Sequence, residues 1–407
     1  MAYQTQNKRM KFKLQSEEQT LLFAANPHLS ESELIKLNEL LLEINDWEVF
    51  AKQIDELGLS SLVYKNFIHL SDRSIIPEGI MVHLKKRYIN LYLSNVQKHK
   101  DLENVIKHCN QNNIPIIPLK GIPLIHFIYK DYGLRSMSDI DLLVNDEDVE
   151  KFKHLLLENG WEIDNSKEIS EFVTQINDSQ HPYTFVKGLT KIELHNKLHS
   201  GLTSYQVDLK KYWSNASEID LLQGKVYDLS PTDFLQYLCF HLHKHLIDER
   251  DVSMKHFIDI KSFIKNNESE IEWKKLVSSS CQYNCQVEIR DVLELCRDYF
   301  ETTIPDEVFH LLKGQSKYDP HFLFIHYLRN DNKAIEEFVL TRHDNYKMTF
   351  SKINGTKRKL KYLFDLFIPP KKFMIKRYAI KNKNLIFYFY IKRIFVGITK
   401  GISKKNS

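Results

Sequence analysis

The stretch Gly133-Leu134-Arg135-Ser136-Met137-Ser138-Asp139-Ile140-Asp141-Leu142-Leu143-Val144 is the part of the chain best suited to chemistry. If Asp139 to Val144 is a strand, the period of two puts Asp139 and Asp141 on one face. Two adjacent carboxylates repel unless water or a cation neutralises them, and carboxylate oxygens are ligands that Mg²⁺ prefers. On the Asp-x-Asp spacing alone, an exposed strand end with two solvated acids fits as well. Two flanking features narrow the choice. Upstream, Leu119-Lys120-Gly121 reads as a glycine at a strand-to-helix junction, where backbone N–H groups can approach a phosphate. Downstream, Ile192-Glu193-Leu194-His195 holds one carboxylate inside an apolar strand, where an unpaired charge is costly. Together they offer a phosphate cradle, a carboxylate pair and a third carboxylate, the minimum set for metal-assisted in-line phosphoryl displacement. Glu193 and His195 share a face. His195 reads either as an assistant to acceptor deprotonation or as a packed strand histidine.

Positioning these residues takes a small α/β module in a helical chain. Apolar spacing predicts helices over 33–44, 47–57, 60–70 and 77–108. The pattern then changes to strands at 114–119, 139–144, 161–163, 183–186 and 191–195, with helices over 122–129 and 146–159 between them. Pro115 and Pro118 weaken the first strand, because proline donates no ladder hydrogen bond. Helices return after residue 205. One is expected over 234–246, with Ser230 as its cap and Pro231 at its first position, and others over 255–265, 273–280 and 287–300.

At these residues a family resemblance is visible. The order of strand, glycine turn, helix, Asp-x-Asp strand and later acidic strand resembles the DNA polymerase β-like nucleotidyltransferase superfamily. Leu119-Lys120-Gly121, Gly133-x-Arg135, Asp139-Ile140-Asp141-Leu142-Leu143-Val144 and Glu193-Leu194-His195 look like a bacterial family of largely uncharacterised nucleotidyltransferases. Asp46-Trp47, the segment 59–64 and His241 to His245 with Asp259 look like that family's flanking helices. The resemblance implies that Asp139, Asp141 and Glu193 form the catalytic and metal site, holding Mg²⁺ or Mn²⁺, with an NTP as co-substrate. It implies that Gly121 approaches the triphosphate. Ile122 follows where the wider superfamily has Gly or Ser, so Lys120 is expected to supply the missing phosphate contact as a point charge. Arg135 and Ser138 read either as phosphate contacts or as a loop arginine and a turn serine.

Other features are less directive. His241 and His245 stand four apart on one predicted helix face. A metal site would need further ligands, for which Asp259 is one candidate, and no adjacent His-Asp pair marks a phosphohydrolase. A structural helix, or one presenting histidine to the nucleotide or acceptor, is expected instead. Glycine (12) and proline (11) are scarce among the 407 residues, which excludes collagen-like and turn-dense all-β chains. The five cysteines show neither a disulfide framework nor paired zinc spacing. Residues 1–13 lack a secretory apolar core, and no apolar run is long enough to span a bilayer, so a cytoplasmic protein is expected.

The net charge of +4 conceals a split. Residues 357–407 carry 15 Lys+Arg against Asp365 alone, a local +14, which leaves −10 over 1–356. The aromatic, basic tail reads as a packed helix, a membrane-surface helix or a nucleic-acid patch. The acidic body argues against general nucleic-acid binding and leaves peripheral contact with the inner face of the membrane as an expectation. The expected fold is α+β: a small mixed-sheet nucleotidyltransferase core (113–205) between a helical N-terminal region (1–112) and a helical C-terminal domain (206–356), followed by the basic aromatic tail (357–407). The expected function is Mg²⁺-dependent nucleotidyl transfer from an NTP to a hydroxyl of a small molecule, glycan or protein, releasing pyrophosphate. The alternatives are a catalytically weak nucleotide-binding regulator and an antitoxin-like modifier of a partner protein.

Overall fold

The computed structural model describes residues 12–164, 183–198, 207–249, 252–314, 316, 318–331, 333–335, 350, 356–368, 371, 374–375, 378 and 385–392. Residues 1–11, the tail aromatics Phe373 and Phe395 and the tail beyond 392 lie outside them. Five helices come first: α1 (Ser16–Ala24), α2 (Glu31–Leu41), α3 (Trp47–Glu56), α4 (Ser60–Phe67) and α5 (Glu78–Gln111). Their starts follow local chemistry. Ser30 and Glu33 form a reciprocal capping box on α2, and Asp46 accepts the backbone N–H groups of Glu48 and Val49 at α3.

The fold is α+β. Its central sheet orders β1 (Ile117–Leu119), β2 (Ile140–Leu143), β5 (Thr190–His195), β4 (Tyr183–Lys187) and β3 (Glu162–Ile163), as β1-β2-β5-β4-β3. Only β2 and β5 run parallel; the other pairs are antiparallel. Both parallel strands are central, and Ile140, Leu142, Leu143, Ile192 and Leu194 are buried, as expected for strands covered on both faces. Pro118 is accommodated because β1 is the edge strand of this sheet. Helix α7 (Val149–Glu158) joins β2 to β3.

Two elements differ from expectation. The helix after β1 is α6 (Gly121–Pro123) continuing as a wider π-helical turn over Leu124–Tyr129. After α8 (Leu209–Asn215) the chain forms a hairpin, β6 (Ser217–Leu221) and β7 (Gly224–Asp228), inside the region expected to be helical. The N–H of Tyr227 donates to the carbonyl of Ile116 at 2.9 Å, so the hairpin borders the free edge of β1. Helices α9 (Pro231–Lys244), α10 (Lys255–Asn266), α11 (Trp273–Gln282), α12 (Gln286–Phe300), α13 (Asp306–Leu311), α14 (Pro320–Leu328) and α15 (Thr356–Phe367) follow. Ser230 caps α9 through the Asp233 N–H, with Pro231 in the first turn.

One apolar core joins the amino- and carboxy-terminal helices: Leu37, Phe50, Phe257 and Phe324 belong to it, together with Leu119 and Leu124 next to the glycine turn. A second core lies on the other side of the sheet, with Ile106, Leu142, Phe152, Phe185, Ile192 and Val226. The five cysteines are free, and all but Cys281 are buried. Among the described residues no helix is long and apolar enough to cross a membrane.

Two constraints hold the loop before β2 against this frame. Asn95 of α5 donates to the carbonyls of Tyr132 and Arg135 at 2.7 and 2.8 Å. The Arg135 guanidinium, 6% exposed, meets the Asp259 carboxylate of α10, 2% exposed, at 3.0 Å, and Asp259 also accepts from Tyr129 Oη at 2.7 Å. Both charges are buried, so removing either partner strands the other in apolar surroundings. Asp259→Leu and Arg135→Met are each expected to destabilise by about 3–5 kcal/mol in denaturant titration, and the double variant by clearly less than their sum. At the glycine turn, Lys120 has φ +51° and ψ −108°, a conformation costly for an L side chain. Lys120→Gly is therefore expected to be more stable than Lys120→Ala by about 1–3 kcal/mol in the same assay.

Candidate active site

The register of the two parallel strands builds the site. Asp141 of β2 stands beside Glu193 of β5, and Leu143 beside His195. Glu193 and His195 fall on one face by the period of two. Ligand atoms of Asp141, Glu193 and His195 all lie within 4.8 Å of one another. Asp141 Oδ1 receives two donors: Lys120 Nζ at 2.7 Å and His195 Nε2 at 2.7 Å. The strained backbone at Lys120 thus delivers an ammonium to a buried carboxylate. Burial opposes the charge on Lys120, but Asp141 more than offsets it and holds the amine protonated. Burial, reinforced by Lys120, drives the His195 pKa well below its usual value, so the ring is neutral and its Nε2–H donates to Asp141. His195 orients the carboxylate, as a neighbouring hydrogen-bond partner does for a metal ligand.

The other expected site residues are placed less uniformly. Asp139 precedes β2 rather than lying in it, so the same-face expectation does not extend to it; it lies outside the group of three and accepts from Ser138 Oγ at 2.9 Å. It still acts electrostatically on Lys120, Tyr237 and Lys98. Ser138 is exposed at the entrance to β2. The expectation that Arg135 contacts phosphate is corrected: its guanidinium is buried and spent on Asp259 and the Ser136 carbonyl. Gly121 is fixed by packing, because a Cβ there would collide with Met137 and the Arg135 guanidinium. The glycine therefore allows the loop before β2 to lie on the turn after β1.

Sequence reasoning missed residues contributed by the carboxy-terminal helices. Tyr237 of α9 is buried, and its hydroxyl is raised above its usual pKa by burial, with Lys120, Asp141, Glu193 and Asp139 all within electrostatic reach. Lys255, the first residue of α10, donates to Ser136 Oγ at 3.1 Å. His241 and His245 of α9 and its continuation meet His256 of α10. The pKa values of His241 and His256 are driven well below the usual value, first by burial and then by neighbouring cations, so both rings are neutral. Asp259, the candidate partner for His241 and His245, is engaged with Arg135 and Tyr129 instead. A third histidine, eleven residues beyond His245 in the next helix, was the available signal.

The donor set of Asp141 and Glu193, two carboxylates with an imidazole beside them, fits a divalent cation. Among solved structures, the chain is similar to ANT(2″)-Ia in complex with adenylyl-2″-tobramycin, at 9% identity and a TM-score of 0.33, covering 47% of this chain and 99% of that one. No curated protein matches the chain in sequence. Residues 43–301, which include every site residue named above, match the family described as uncharacterised nucleotidyltransferase. With more than half its length matched, the chain belongs to that nucleotidyltransferase family.

Proposed function

We propose that this enzyme transfers a nucleotidyl group from an NTP to a hydroxyl of a small molecule, glycan or protein, with Mg²⁺ or Mn²⁺ and release of pyrophosphate. The observation that carries the reading is the β2–β5 register, which sets Asp141 against Glu193 beside a buried ammonium. Asp141 and Glu193, with Asp139 at the strand entrance, are the residues that would hold the ion. When bound, the ion supplies positive charge to the triphosphate and lowers the cost of charge developing at the α-phosphorus. The protein's own contribution is positioning and electrostatics. Lys120 offsets the charge of Asp141 with an ammonium carried on the glycine turn itself. His195, neutral and committed to Asp141, fixes that carboxylate's orientation and is not the residue that removes the acceptor proton. Glu193, half-buried on the same face, is the remaining base candidate. Ser138, exposed beside Asp139, is the remaining side-chain candidate for a phosphate oxygen in that loop.

One observation favours a second reading, a nucleotide-binding regulator of weak activity: Asp141 is already neutralised by Lys120. Exposed Leu360, Phe364, Phe387 and Tyr388 on the basic tail support the expected contact with an anionic membrane face. Transfer is tested by pyrophosphate release from each NTP in the presence of Mg²⁺ and pooled hydroxyl acceptors. Asp141→Asn and Glu193→Gln are each expected to lower turnover at least ~100-fold while leaving circular dichroism unchanged. Wild-type NTP binding without release from any NTP would favour the regulator.

A further inference from the structure

Outside the carboxylate group, the described residues hold one other cluster with metal-ligand geometry: His241, His245 and His256, each offering a ring nitrogen within 4.8 Å of the others. Nε2 of His241 and Nε2 of His245 stand 3.2 Å apart. Two nitrogens bound to one tetrahedral ion at about 2.0–2.1 Å stand roughly 3.3 Å apart, so the pair already has ligand spacing. A hydrogen bond would account for that distance in two rings, but not for a third brought to the same point from another helix. The ring of His256 lies 5.2 Å from that of His241 and 5.0 Å from that of His245, and its Nδ1 is buried with no hydrogen-bond partner.

We propose that His241, His245 and His256 form a binding site for a borderline divalent transition-metal ion of the Zn²⁺ class. Imidazole nitrogens suit such an ion and suit Mg²⁺ poorly. Three protein nitrogens leave a tetrahedral ion one position for a water or substrate ligand. The chain around the site matches that role. His241 and His245 stand one turn apart where α9 gives way to a π-helical turn over His245–Glu249, a local widening frequent at functional sites. His256 lies in the first turn of α10, the helix that also carries Asp259. The ion would join the end of α9 to the start of α10, one turn from the buried Arg135 pair. Cations do stand nearby: Lys120, Lys244, Lys255 and Arg135 all act on these histidines. Two of them carry their own counter-ions, Lys120 on Asp141 and Arg135 on Asp259.

This site is independent of the transferase reading, and the metal alone tests it. Full-length protein stripped with chelator is dialysed against Zn²⁺, and bound metal is counted by atomic emission. Asp141→Asn/Glu193→Gln is measured alongside to remove the carboxylate site. One Zn²⁺ per chain is expected in both proteins, unmoved by millimolar Mg²⁺, and at least ~100-fold weaker binding in His256→Ala and His245→Ala. Co²⁺ bound to the wild-type protein should give the intense visible bands of a tetrahedral nitrogen site, a readout that needs no variant to fold. Absence of both the Zn²⁺ and the Co²⁺ signals in the wild-type protein overturns the proposal. So does metal retained by folded His245→Ala/His256→Ala, or metal lost only from the carboxylate variant. Inorganic tripolyphosphate binding that needs His256, with no metal bound, would overturn it in favour of an anion site.

Discussion

The structure depends on the pairing of two short parallel strands. A slip of one residue between β2 and β5 would turn Glu193 and His195 to the opposite face from Asp141 and bury Glu193 among the apolar residues of the sheet. The slip is prevented by the residues flanking the acids: Ile140 against Ile192 and Leu142 against Leu194 are fully buried pairs. The same alternation that builds the core therefore fixes the spacing of the charged groups. This is why so small a sheet can hold a buried carboxylate next to a second acid.

The charge that remains is handled by the protein itself. Asp141 is buried, and two carboxylates on neighbouring strands would be costly without a cation. The backbone pays for one in strain, at Lys120, whose positive φ aims the ammonium at Asp141. A second buried pair, Arg135 with Asp259, does structural work of a different kind. It ties the loop that launches β2 to α10, and Tyr129 at the end of the π-helical turn shares the same carboxylate. The glycine turn, the loop before β2 and the carboxy-terminal helices thus meet at two charged contacts. The apolar core running from α1 to α14 supports that arrangement from behind.

Much of this was legible in the sequence because it follows local rules. The helices of the first hundred residues, the strands carrying Asp141 and Glu193, and the Ser230-Pro231 start of α9 appear within a few residues of where periodicity and capping place them. What was not legible depends on contacts distant in sequence. The hairpin β6–β7 was missed because its side chains alternate only weakly, and its place is set by the edge of β1. Arg135 reads as a phosphate ligand until Asp259, 124 residues away, claims it. Asp139 reads as a strand residue until the loop anchored by Asn95 sets the first residue of β2. His256 had no short-range companion to mark it, since its partners come from the preceding helix.

The two clusters differ in how they meet the cost of being buried. The carboxylate group contains its own counter-charge, so its geometry can persist in the folded chain before any nucleotide arrives. An ion entering it must displace or share the Lys120 contact, and a triphosphate gives that ammonium an alternative anion. On the proposed function, nucleotide and metal entry would therefore be coupled at one side chain: each would make the other's binding less costly by taking over one half of the Lys120–Asp141 pair. The histidine group contains no carboxylate, and the rings of His241 and His256 are kept neutral by burial and by the cations around them. Lys120 acts on both groups. If, on the proposed function, a nucleotide draws that ammonium from Asp141 toward a phosphate, the field at His241 and His256 changes as well, and nucleotide binding would be felt at both groups.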